Sequence, residues 1–207
     1  MYLDKSTLDN LEKQKKVNII NSITGIKPAN LIATISKEGK TNVAIFSSVV
    51  HVGSNPALIG FVMRPVDGFE RHTYENIIHQ KYYTINHVPE QFVEAAHLTS
   101  GKFSNDVSEF IACNLNEEYH DNFLAPYVKE SKIKTGLKFR DEITLPNKTI
   151  FIIGEIENII THQSFTDADG NFDLTNSSIG VSGTDTYYTL TKKCRLPYVS
   201  LKHHETN

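Results

Sequence analysis

The chain has no tryptophan, and only two cysteines and two methionines in 207 residues. Cys113 and Cys194 are far apart and form no C-x-x-C pair, which excludes a disulfide framework and a cysteine zinc site; both read as small buried hydrophobes. No sign of charge dominates: 21 Lys and Arg stand against 24 Asp and Glu, a formal net charge of -3, with the basic residues scattered. A nucleic-acid partner needs a continuous basic footprint, so none is expected. No apolar run approaches the roughly 20 residues of a membrane-spanning helix, and the opening M-Y-L-D-K-S-T lacks the apolar centre of a signal peptide. The expectation is a cytoplasmic protein with no membrane partner.

Absent motifs narrow the chemistry further. No G-x-G-x-x-G follows a strand, which argues against a Rossmann dinucleotide site. No H-E-x-x-H and no paired His and carboxylate spacing occur, so no metal is expected. Asp167, Asp169, Asn171 and Asp173 have the alternation of a calcium loop, but Phe172 takes the place of the required glycine and Ser178 that of the closing glutamate. No G-x-S-x-G elbow is present, and no side chain stands out as a catalytic nucleophile, acid or base. No linker rich in Pro, Gly or Ser interrupts the chain, so residues 1–207 read as a single domain.

What is present is material for a core: 39% hydrophobic residues, among them 11 Phe and 9 Tyr, enough to exclude disorder except at the ends. Ser6 or Thr7 is placed to cap an amphipathic helix over about 6–24, ended by Gly25 and Pro28. A barrel core is expected over about 30–190. Its strands read as 30–36, 42–52, 57–63, 82–88, 133–145 and 149–160, with short helices over 73–80, 90–97 and 105–114. Six strands in succession, without strict βαβ alternation, imply an antiparallel barrel in a mainly β protein with peripheral helices.

The segment 42–78 concentrates polar donors around apolar strands: Asn42, Ser47 and Ser48, then Arg64, then His72, Thr73 and Asn76. A phosphate monoester needs several donors and a fixed cation, and an arginine fork answers it with parallel hydrogen bonds. Thr73 stands at a helix start, where unpaired amides favour an anion. Each residue also has an ordinary reading: strand serines facing solvent, a surface arginine before a proline, a threonine N-cap.

In order, N-V-A-I-F-S-S with its N-x-A-x-x-S pattern, the R-P pair at Arg64, and T-Y-E-N-I resemble the flavin reductase-like, FMN-binding split-barrel proteins. The resemblance covers about 21–188. It implies a six-stranded antiparallel Greek-key split β-barrel, FMN as cofactor, NADH or NADPH as reductant, and a homodimer. It assigns Asn42, Ala44, Ser47, Ser48, Arg64, His72, Thr73 and Asn76 to the cofactor, with small Ala44 admitting the flat ring. Ser100, Gly101 and Lys102, in the stretch H-L-T-S-G-K-F-S-N-D-V-S-E-F, and Tyr187 or Tyr188 become substrate-side residues; a solvated turn and plain packing are their alternatives. Lys27 and Pro28 depart from an R-P pair common at that place. The implied function is hydride transfer from NAD(P)H to flavin and onward to an acceptor. The alternatives are a flavin-binding electron carrier without efficient nicotinamide turnover, and a flavin-free barrel used for protein contact.

Overall fold

The computed structural model of the protein describes residues 1–68, 70–104 and 106–199. Seven strands form one antiparallel sheet: β1 (Asn30–Ile35), β2 (Thr41–Phe46), β3 (Val50–Ser54), β4 (Ala57–Met63), β5 (Tyr82–His87), β6 (Ile133–Thr144) and β7 (Ile150–Thr161), in the order β2-β1-β5-β6-β7-β4-β3. The mainly β expectation holds, but the count of six does not, and the sheet is open, because its edge strands β2 and β3 do not pair. The extra strand arises where 42–52 was expected to be continuous. It breaks over Ser47–Val49, and the chain re-enters the sheet on its far edge as β3.

Register explains the two-sided core. Ile32 stands opposite Ala44 on β2 and Ile85 on β5, Tyr83 opposite Leu137 on β6, and Ile152 opposite Phe61 on β4. Apart from Ala44, these residues, with Ile77, Met63 and Ile150, form one core cluster. In a second cluster Leu31, Ala33 and Val43 meet Val88, Ala96, Phe110 and Val128. Five successive residues of β1, Asn30 to Thr34, are therefore buried, and the strand is continuously apolar from Leu31 to Ala33 because both its faces are covered. Bulges after Ile153 and Ile156 bend the long β6–β7 hairpin around this core.

Helix α3 (His72–Gln80) plugs one end through Ile77, and left-handed Lys81 turns the chain directly into β5. Against the single expected N-terminal helix there are two, α1 (Lys5–Asp9) and α2 (Lys13–Ser22), neither with a buried residue. The caps differ as well: Thr7 N donates to Asp4 Oδ1 at 2.7 Å, and Gln14 N and Lys15 N donate to Glu12, which restarts the helix. The segment 90–97 is a 3-10 turn followed by α4 (Val93–Leu98). The helix expected over 105–114 shortens to α5 (Glu109–Ala112); Asn105 lies outside the described residues. A late hairpin, β8 (Ile179–Ser182) with β9 (Thr186–Thr189), pairs with Lys27 and Pro28 and was not anticipated. Cys113 is buried as expected, whereas Cys194 is exposed, because the chain after Leu190 runs along the surface. Among the described residues no helix is long and apolar enough to cross a membrane.

Tyr83 is fully buried and its hydroxyl has no partner, because the phenol lies over Gly154 where any Cβ would collide with it. Gly154→Ala should therefore destabilise the fold by about 1–3 kcal/mol, the usual cost of overpacking. Tyr83→Phe should cost under about 1 kcal/mol, since the lost hydroxyl makes no hydrogen bond. Urea denaturation of both variants tests the packing, and an alanine at 154 with wild-type stability would refute it.

Candidate functional site

Thr34 on β1 organises the site. Its hydroxyl oxygen accepts from Asn42 Nδ2 at 3.2 Å and from Asn76 Nδ2 at 3.0 Å, and Asn42 Nδ2 also donates to Thr73 Oγ1 at 3.0 Å. All four residues are buried. The relay ties the first turn of α3 to β1 and β2, so the helix start is held at the sheet edge rather than left free. Asn76 donates to Thr34 within this relay and does not line the cleft. Thr73 accepts from Asn42 and donates to no described group, so its hydroxyl hydrogen remains for a ligand.

A second latch aligns β4. Ser48 Oγ donates to Val62 O at 3.1 Å and accepts from Val62 N at 3.0 Å, holding the chain after β2 against the strand that ends at Arg64. The Ser48 proton is thereby committed, and its side chain has no donor left for an anion. Ser47, beside it, makes no side-chain hydrogen bond among the described residues. Arg64 is exposed and has no hydrogen bond or ion pair among the described residues, whereas Arg71 Nε donates to Pro65 O at 3.3 Å. No side chain caps α3, which leaves its first amides open to an anion.

These parts converge on one cleft of about 560 Å3. It is lined by Asn42, Ala44, Ser47, Ser48, Arg64, His72 and Thr73, together with Lys102 from the loop after α4. Seven of the eight residues assigned to a cofactor therefore share one wall, and the loop Thr99–Phe103 forms the other. Tyr187 lies elsewhere: its hydroxyl is 2.9 Å from His97 Nδ1, its ring packs edge-on against that imidazole, and it lies against the second core cluster. Tyr188 is exposed and does not line the cleft.

The sequence reading missed Glu109. It is 5% exposed on α5, lines the cleft, and its Oε2 has no hydrogen-bond partner. Burial pushes its carboxyl above the ordinary glutamate range, while the backbone amides of Glu109 and Val43 and the charge of His72 pull the other way. The available signal was an acid inside the short apolar stretch E-F-I-A, next to Phe110. α5 lies against β2 because Ser108 Oγ and Thr41 Oγ1 are 2.8 Å apart, and Thr41 also donates to Glu117 at 2.6 Å.

Residues 26–175 match the family described as flavin reductase like domain. The structure superposes on a split barrel domain protein from Shewanella frigidimarina NCIMB 400, assigned as a flavin reductase, with a TM-score of 0.91 and 42% identity over 96% of this chain and 100% of that one. Nitrilotriacetate monooxygenase component B from Bacillus cereus follows at 0.83 with 18% identity, covering 95% and 98% of the two chains. Flavoredoxin of Desulfovibrio vulgaris (Miyazaki F) gives 0.73 with 20% identity, covering 84% and 91%. The last two show the fold alone. With the match extending over most of its length, the chain belongs to the flavin reductase-like family, in its split-barrel form.

Proposed function

We propose that this protein is an FMN-binding oxidoreductase that takes hydride from NADH or NADPH and passes electrons to an acceptor. The observation that carries this reading is the convergence of an unpaired Arg64, the uncapped start of α3 and the small-residue stretch of β2 on one cleft. Its volume of about 560 Å3 lies within the range of small-molecule and cofactor sites. The donor set suits a phosphate-bearing ligand: Arg64 supplies the cation, and Thr73 a free hydroxyl hydrogen beside open helix amides. Ala44 lets a flat ring approach β2, and Ser47 has a hydroxyl with no competing side-chain bond.

Bound FMN would supply the hydride-accepting centre and the two-electron store, so no acid or base side chain is required for the transfer itself. The chain's task is then placement. Arg64 and the α3 start fix the anionic end, the Thr34 relay holds that start rigid, and the loop carrying Lys102 borders the side left open for the nicotinamide. Asn76 is reassigned from ligand contact to support of Thr34, and Ser48 from phosphate donor to strand latch. We also propose a cytoplasmic homodimer; Val17, Ile20, Ile23 and Ile26, exposed along and after α2, supply apolar surface for a second copy. The electron-carrier reading uses the same cleft, and the fold shared with a flavoredoxin supports it.

A visible spectrum of the purified protein reconstituted with FMN, recorded before and after anaerobic NADH or NADPH, tests both parts. Rapid bleaching is expected; a flavin that binds but stays oxidised selects the carrier, and a protein that refuses FMN refutes the proposal. Arg64→Ala should weaken FMN binding by about 1.5–3 kcal/mol, the value of a hydrogen bond to a charged group. Unchanged affinity in a fluorescence titration would remove Arg64 from the phosphate grip. Lys102→Ala should lower turnover with nicotinamide while leaving FMN affinity nearly unchanged, and steady-state kinetics equal to wild type would exclude that role.

A further inference from the structure

Two buried polar atoms of cleft-lining residues have no hydrogen-bond partner among the described residues, Glu109 Oε2 and His72 Nε2. The carboxylate nearest the imidazole, Glu70, has its Oε2 3.9 Å from Nε2, beyond hydrogen-bond reach. A third unpaired atom, the Tyr83 hydroxyl, faces Gly154 inside the core and is closed to any ligand. Glu109 differs in position. Its residue is 5% exposed yet forms part of the cleft lining, so a molecule seated there would lie against a residue whose second carboxyl oxygen is covered and unpaired.

We propose that Glu109 is a specificity-determining residue of this cleft: as a neutral carboxylic acid it donates its O–H from Oε2 to an acceptor atom on the edge of a bound flat heteroaromatic ring. This rests on the flavin reading above and adds a ring contact separate from the phosphate grip at Arg64. Low-dielectric surroundings favour the uncharged acid, and an uncharged acid needs an acceptor, which β2 and α5 do not provide. Several ionisable groups bear on it. Cys113 lies one turn further along α5, and His72 comes from the start of α3, with Glu70 and Arg71 just ahead of it. Arg64 stands at the end of β4, and Lys102 in the facing loop. Strand β2, packed against α5, carries no ionisable side chain, and Glu117 is bonded to Thr41.

Riboflavin isolates the ring contact, because it lacks the phosphate that Arg64 would hold. Its affinity for the wild-type protein should fall roughly tenfold as pH rises through and beyond the raised titration range of the Glu109 carboxyl, as the donating acid is lost. Glu109→Gln keeps a donor and cannot titrate, so its affinity should be flat over that range, whereas His72→Gln should retain the fall. In wild-type protein with 13C-labelled glutamate, riboflavin should raise the midpoint at which the Glu109 carboxyl titrates, since a ligand that prefers the protonated form stabilises it. A Glu109→Gln variant with the wild-type pH profile, a fall abolished by His72→Gln, or an unmoved carboxyl midpoint overturns the assignment. FMN binding without riboflavin binding also overturns it while leaving the cofactor reading intact, whereas a protein that binds neither removes both. Should Glu109→Gln not fold, the carboxyl midpoint in the wild-type protein decides alone.

Discussion

The site depends on one hydroxyl. Thr34 sits within the apolar strand β1, and its oxygen uses both lone pairs, one for the amide of Asn42 and one for that of Asn76. Neither amide could be buried without such an acceptor, and neither the strand edge nor the helix start would hold its place without the amides. The relay is short, fully buried and centred on the strand shared by both cores. It therefore converts the packing of the barrel directly into the position of the α3 amides. A surface contact would leave that position to loop motion; a buried, satisfied network specifies it.

The Ser48–Val62 latch complements this relay. β2 leaves the sheet at Phe46, and β3 begins on the opposite edge, so the segment between them crosses from one edge strand to the other, with Val49 packed against the core. One serine that both donates to and accepts from Val62 holds that crossing against β4 two residues before Arg64. The cation is thereby placed by backbone pairing on one side and left unpaired on the other. Rigid support beneath a free guanidinium is what recognition of an anion requires, because a cation already engaged in an internal salt bridge has to break it first.

Much of this was legible in the residues, and the misses have identifiable physical causes. Strands with period-2 or continuously apolar patterns, such as 57–63, 82–87 and 133–144, were read within one residue at each end, since burial of one or both faces leaves a direct trace in composition. The break between β2 and β3 was not visible, because V-V-H-V continues the β-branched pattern across it while pairing switches edges, which is a long-range property. In the helices, Ser6 and Thr7 are good cap residues, but Asp4 and Glu12 also accept amides, and local preference does not rank such competitors. Seven of the proposed contacts were brought to one cleft. Asn76 lies outside the cleft and donates to Thr34, because spacing locates a side chain along the chain without telling which way a buried amide turns.

Glu109 shows the opposite failure. A single acid beside Phe110 in a short helix looks like its solvated face, and only the docking of α5 against β2 makes it a buried one. Tyr83 and Glu109 each hold an oxygen without a hydrogen-bond partner among the described residues, and their surroundings separate them. The phenol closes on Gly154 in a sealed core, where its proton is held more tightly because no water reaches it, and its hydroxyl can do nothing but fill space. Glu109 lines the cleft, where the proposed ring contact would complete its carboxyl. An unsatisfied polar atom in a core is a cost offset by packing around it; the same atom at a cleft wall is a cost that binding removes, and it thus becomes a source of selectivity.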